Sequence, residues 1–432
     1  MSVVKPFSAW HYNTHKFKNL SEVVAPPYDV ISAEELAEMK KKSPYHYTRV
    51  ILPEGENKHI QAAELLRTWQ REEILVQDKK PALYFYRQTF NLTPAERFCQ
   101  SVPGHSVATQ GHFIPMKWHD SFFVSGASQP LSRTSIFARI GLEDYSAKII
   151  LPHEKTFSGP KADRYKLMES TQGNMEPVFL GYDSPRFSGD EFEKIILSQK
   201  PTEKFIDDAG VSHELWAITD EKVIAEVEKV LGPKKFYILD GHHRYETALK
   251  FYHDHQAKDA RLDHRYVLAA ICSFRQPGTV ILPTHRALKV GEVDKAKKNL
   301  MGLGWEWSEV SDRKILEEKL MGSKVTCFGL KIPRNEKYVF LKAPKDLEKL
   351  DLDVLHDLVL PVFDKDPQLD YIKDLDELEA KVDQGIYQIG FLVRPSTVDE
   401  VMSVAEHGSV MPHKSTFFYP KIPSGFVINT FS

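Results

Sequence analysis

FYILDGHHRYETALKFY, residues 236–252, runs five mostly apolar residues straight into Asp240-Gly241-His242-His243-Arg244 and then into a helical pattern. The run FYILD has strand composition, so Asp240 falls at a strand's carboxyl end. Gly241 permits a tight turn that other residues resist. Tyr245, Ala248, Leu249 and Tyr252 then recur at helical spacing along one core-facing stripe. His242, His243 and Arg244 therefore stand at a helix amino terminus, where the first N–H groups lack intrahelical partners and carry roughly half a positive charge. Such a turn is a ready anion site, and Arg244 can add a bidentate fork. Phosphate is the obvious anion. A carboxylate such as Asp240 would repel it unless a metal ion or a hydroxyl substrate intervenes, and that combination points to phosphoryl transfer. A plainer alternative has Asp240 capping the helix, Arg244 paired with a surface acid and the histidines solvated; the turn alone does not choose between them.

Whole-chain properties narrow the function classes. At 432 residues the chain suggests two or three domains, given roughly 100 to 200 residues per domain. A net charge of −3 provides no positive field to gather DNA or an acidic membrane, so nucleic acid and membrane are not expected partners. Cys99, Cys272 and Cys327 form no CxxC pair, which suits a reducing compartment and argues against a cysteine zinc site. The stretch MSVVKPFSAWHYN lacks the apolar core of a signal peptide, and no run approaches the length of a membrane span, so a cytoplasmic location is expected.

Along the chain, VVAPPYDVIS (23–32) breaks helix at Pro26 and Pro27 and then caps one at Ser32, with Glu35 completing a capping box. Residues 57–75 show helical spacing and 81–92 strand composition. Residues 97–133 read as an insertion or long loop packed on the surface; their aromatics Phe113, Trp118, Phe122 and Phe123 suit a lid or a subunit contact, which leaves a homo-oligomer open. Strand, polar turn, helix and strand follow in TSIFARIGL, LPHEKT, ADRYKLMEST and EPVFLGY, and the tail from about 290 alternates charged helices with strands. The pattern predicts an α+β protein with regions 1–140, 141–290 and 291–432.

The turn GHHRYETA closely resembles the phosphate-binding turn of the ParB and sulfiredoxin superfamily, above all that of free-serine kinases, which carry DGHHR. Those kinases place a His-Glu pair, a basic helix and an apolar strand upstream of the turn, and this chain offers LPHEKT (151–156), DRYKLMEST (163–171) and MEPVFLGY (175–182) in the same order. Over nearly its full length the chain also resembles domain-of-unknown-function family 1015, in the blocks APPYDVIS, GLEDYSAKIILPHEKT, DGHHRYETA, LPTHRAL and MPHKSTFFYPK. The resemblance implies a ParB/sulfiredoxin-like mixed α/β core flanked by amino- and carboxyl-terminal α/β regions. It implies a kinase that phosphorylates free L-serine or a similar hydroxylated metabolite, with pyrophosphate favoured over ADP or ATP because no adenine-site motif is legible. The alternatives are a ParB-like nucleotide-binding switch, and the same transfer run in reverse on phosphoserine.

Carried over residue by residue, the resemblance makes Glu154 the general base on the serine hydroxyl, Asp240 the carboxylate that positions the hydroxyl or a magnesium ion, and His243 a third catalytic group. Gly241, His242 and Arg244 would cradle phosphate, with Lys155 and Thr156 beside them. Mg2+ is implied by the chemistry rather than by any ligand motif. In sulfiredoxin the reactive cysteine stands where this chain has His242, so thiol chemistry lacks its nucleophile. Further expected contacts are Lys414, Ser415 and Thr416 for phosphate, and His153, Asp29, Thr284, His285 and Arg286 for substrate; Thr284 to Arg286 are expected near a strand end. His413 stands at a glutamine-like family position, which leaves its contact unassigned.

Overall fold

The structure is a computed structural model that describes residues 2–93, 96, 130–187, 190–256, 263–289, 292–333 and 337–431. Most of the expected insertion, residues 97–129, lies outside the described residues. Its last positions do not: Leu131 to Arg133 already belong to a strand, and Arg133 is fully buried.

Two sheets organise the chain, and their strands are labelled together. The larger has nine strands: β1 (Val4–Lys5), β2 (Leu83–Phe90), β3 (Leu131–Gly141), β4 (Ile150–Leu151), β5 (Val178–Tyr182), β6 (Glu203–Ile206), β7 (Ser212–Ile218), β8 (Phe236–Asp240) and β9 (Tyr266–Ser273). Their order is β4-β8-β5-β9-β3-β2-β7-β6, with β1 added to β3. Pairs β4/β8 and β5/β9 are parallel and the others antiparallel, a mixed sheet of the expected α+β class. Strands contributed by residues 1–140 and 141–290 hydrogen-bond within this one sheet.

The smaller sheet is antiparallel and comprises β10 (His285–Leu288), β11 (Glu306–Val310), β12 (Cys327–Lys331), β13 (Tyr338–Lys342), β14 (Leu369–Ile372) and β15 (Ile389–Leu392), in the order β11-β13-β12-β15-β10-β14. Thr284 to Arg286 thus follow the end of the strand Val280–Leu282, as expected, and lead into β10.

Period-two alternation sends neighbours on a strand to opposite faces. Tyr84, Tyr86, Phe137, Leu268 and Ala270 enter one core, while Leu83, Phe85, Ile136, Val267 and Ala269 enter the other. Helices that bear on the site and its sheet include α1 (Ala33–Lys42), α2 (Lys58–Arg71), α3 (Ser158–Thr171), α4 (Glu221–Leu231) and α5 (His242–His255). Helices α4 and α5 cover the second core through Val227, Leu231, Tyr245, Ala248 and Phe251; α2 covers the first through Leu66 and Trp69. The expected capping box forms at α1, with Ser32 and Glu35 bonding reciprocally. Among the described residues no helix is long and apolar enough to cross a membrane.

The carboxyl-terminal segment does not stay with the smaller sheet. Phe417–Tyr419 pairs with Val280–Leu282, Ile428 bridges Trp10, and Phe418, Ile422, Phe426 and Val427 are buried in the first core. This return carries residues 411–421 past the end of β8, where the site forms.

Candidate functional site

The β8–α5 turn is built as its sequence requires. Gly241 has φ +89, the left-handed region that glycine enters without strain, and a Cβ there would stand 2.8 Å from Arg244 Nε. The ladder between β8 and β5 slips between Ile238 and Asp240, an irregularity of the kind that re-aims a side chain. Asp240 is thereby turned onto two cations: Oδ2 meets Arg244 Nη2 at 2.7 Å and Oδ1 meets Lys421 Nζ at 3.0 Å. Burial works to raise the Asp240 pKa, but the Lys421 and Arg244 charges outweigh it and hold the carboxyl well below its ordinary range. Arg244 also donates to the Pro177 carbonyl, so the expected phosphate fork is directed inward, to Asp240 and the backbone.

Both histidines accept a backbone N–H through Nε2: His242 from His153 at 3.3 Å and His243 from Phe157 at 2.9 Å. Each ring is then neutral with its proton on Nδ1. Burial, helped by the adjoining His153, pushes His242 down to about 3; burial also lowers His243.

Glu154 faces this turn. Its backbone bridges Met411 in parallel, which lays the HEKT stretch beside the 411–416 segment. Glu154 Oε1 lies 3.0 Å from His413 Nδ1 and accepts the Lys414 N–H at 3.2 Å, so both described donors use one oxygen. Among the described residues nothing pairs with Oε2, and Glu154 lines a cleft. Burial raises the Glu154 pKa and the His413 contact and the surrounding histidines lower it, for a net value of about 2.

Around these groups is a cleft of about 530 Å³ whose walls include Asp29, Glu154, Lys155, the 240–244 turn, Thr284, Lys414 and Thr416. The remaining expected residues sit behind the wall. His153 is buried with Nε2 2.9 Å from Thr416 Oγ1. Thr156 donates to Glu246 Oε2 at 2.7 Å, a carboxylate that Lys161 also meets. Ser415 donates to the Pro412 carbonyl at 2.6 Å. His285 accepts the Val393 N–H, and Arg286, fully buried, donates to the carbonyls of Thr284, His413 and Lys414, which fixes the 413–414 loop.

The cleft also holds Lys421, Lys373, Tyr371 and Phe157, none of which the sequence singles out. Lys421 closes the block MPHKSTFFYPK and could have been found there. Lys373 follows β14 on the other sheet and belongs to no motif. Phe157 is half exposed and packs edge-on to His413, with ring centroids 5.1 Å apart.

The arrangement does not fit Asp240 as a magnesium ligand. Each of its oxygens already contacts a cation, and a hard dication needs free oxygen donors. Among the described residues no group of three or more His, Cys, Asp or Glu side chains is placed to hold a metal.

Solved structures with similarity to the chain include a conserved hypothetical protein from Pyrococcus furiosus, 19% identical over 69% of this chain and 95% of that one with a TM-score of 0.36. Another is a free serine kinase in complex with AMP, 16% identical over 66% and 86% of the two chains with a TM-score of 0.34. A third is SbnI with a carboxyl-terminal truncation from Staphylococcus aureus, 11% identical over 67% and 86% with a TM-score of 0.37. No curated protein matches the chain. The sequence pattern of a family of proteins of unknown function, DUF1015, matches residues 4–100 and 119–359, and the chain belongs to that family.

Proposed function

We propose that the protein is a small-molecule kinase that transfers phosphate to the hydroxyl of free L-serine, with pyrophosphate as donor. The observation that carries this reading is the sharing of one cleft by Glu154, whose Oε2 has no partner among the described residues, and by the Gly241–Arg244 turn at a helix amino terminus. A base without a phosphate site, or a phosphate site without a base, would support less. The family resemblance of DGHHR and LPHEKT supports the same pairing.

In this reading the transferring phosphate lies at the Gly241–His243 turn, held by helix-terminal N–H groups and the Nδ1 protons of the histidines. Because His242 and His243 are neutral, they contribute hydrogen bonds while the positive charge comes from Lys155 and Lys414. The serine hydroxyl lies between that phosphate and Glu154 Oε2. Phosphoryl transfer passes through a loose transition state in which the attacking oxygen becomes acidic only as its bond to phosphorus forms. A carboxylate of low pKa is adequate there: it is ionised at neutral pH, orients the hydroxyl and takes its proton late. The Arg244–Asp240–Lys421 chain keeps the turn rigid, so that positioning, the main demand of this chemistry, is met before substrate arrives.

The test is incubation with L-serine and, separately, pyrophosphate, ADP, ATP and CTP, followed by detection of phosphoserine. Phosphoserine with pyrophosphate is the expected result; no product with any donor across hydroxylated amino acids overturns the reading.

A further inference from the structure

Three cavities meet at one point of the molecule. The cleft of about 530 Å³, a chamber of about 490 Å³ beside Met39, Phe205 and Pro420, and a space of about 980 Å³ toward Arg313 share Val30, Lys373 and Phe417 in their walls. Phe417 has two cations on its ring: Lys373 Nζ lies 4.3 Å and Lys421 Nζ 4.6 Å from the centroid. The π density of one ring thus gathers ammonium groups from two separate elements.

Their charge is only partly cancelled locally. Lys421 shares Asp240 with Arg244, so two cations divide one carboxylate. Among the described residues no carboxylate pairs with Lys373. Desolvation and the nearby Lys421 and Lys414 charges push its ammonium below the ordinary range, against the weaker pull of Glu35 and Asp29. Like charges converging on a cavity repel unless an anion joins them. The position of that anion is bounded, because Lys421 touches the carboxylate directly preceding Gly241.

We propose that Lys373 and Lys421, on the Phe417 ring, form a second anion subsite that holds the leaving phosphate of an inorganic or nucleoside diphosphate while the transferring phosphate occupies the Gly241–His243 turn. The assignment rests on the phosphotransferase reading above. In the step, the bond from the acceptor oxygen to phosphorus forms and the bond from phosphorus to the bridging oxygen breaks, its electron pair staying on the leaving phosphate. The hydroxyl proton passes to Glu154 Oε2 and then to that phosphate, so pyrophosphate and an alcohol yield a phosphomonoester and orthophosphate. Charge accumulates on the bridging oxygen, and two lysines beside it stabilise the transition state more than the ground state.

Calorimetric titration of wild type, Lys373→Gln and Lys373→Arg with methylenediphosphonate and with ADP tests the subsite. Wild type is expected to bind methylenediphosphonate, Lys373→Gln to weaken it by roughly tenfold or more, and Lys373→Arg to restore most of the loss. Weakening of ADP alone assigns the same subsite to a nucleotide donor. Unchanged affinity of Lys373→Gln for both ligands, or no wild-type binding of either, overturns the proposal. Phosphoserine formation separates the two claims. Lys373-dependent diphosphonate binding without product leaves the subsite standing and removes the kinase. Product formed with an unchanged donor KM in Lys373→Gln does the reverse.

Discussion

The two walls of the cleft are made on opposite principles. The turn wall, residues 240–244, spends nearly all its polar groups on itself: Arg244 on Asp240 and Pro177, His242 and His243 on backbone N–H groups. The opposite wall, residues 411–421 with Lys373, is positioned from behind by buried Arg286 and presents cations that few acids neutralise. A rigid, internally satisfied wall supplies geometry, and a loosely compensated wall supplies charge. On the turn wall the loss of Asp240 or Arg244 is then expected to harm folding first, and on the opposite wall the loss of a lysine to harm binding first.

The sharpest way to break this contrast is Arg244→Ala. It removes one of the two cations on buried Asp240 and the donor to the Pro177 carbonyl, and is expected to cost about 3–5 kcal/mol in urea unfolding; near-wild-type stability would show that the Arg244–Asp240 pair does not hold the turn. Protonation offers a second handle. His242 titrates at about 3 when folded, against an ordinary 6.5, so the unfolded state takes up a proton that the folded state refuses. Stability is therefore full above about pH 6.5 and falls toward pH 3, by on the order of 5 kcal/mol once complete. His242→Gln is expected to flatten the pH dependence between 6.5 and 5, above the range in which Glu154 begins to protonate. An identical slope in the variant would remove His242 as its source. Gly241→Ala, at φ +89 and against Arg244, is expected to cost about 1–3 kcal/mol by the same unfolding measurement. On the other wall Lys414→Ala is expected to change stability by no more than about 0.5 kcal/mol while weakening phosphate binding in a titration. A large loss of stability there would erase the distinction.

What the sequence made legible follows the same division. The strand-glycine-helix turn, the capping box at Ser32 and the placement of Glu154 opposite Asp240 are local or motif-borne, and they stand where they were expected. The pairing of Lys421 with Asp240 spans 181 residues, and Lys373 arrives from the other sheet, so only the folded chain brings them together. Residue type alone does not show what a side chain bonds inside the fold. Thr156, Ser415 and Arg286 have the chemistry of phosphate ligands, but the fold uses them to tie Glu246, Pro412 and the 413–414 loop. A hydroxyl or guanidinium near a motif satisfies a buried partner as readily as a ligand, and spacing cannot tell the two apart.

The central claim, that Glu154 and the turn act together in phosphoryl transfer, is tested most directly by phosphorus NMR of wild type and Glu154→Gln with L-serine and pyrophosphate. Wild type is predicted to give phosphoserine and orthophosphate in equal amounts. Glu154→Gln is predicted to slow turnover by about a hundredfold or more while still binding phosphate. Full activity in Glu154→Gln, or no phosphoserine from wild type, would contradict the account.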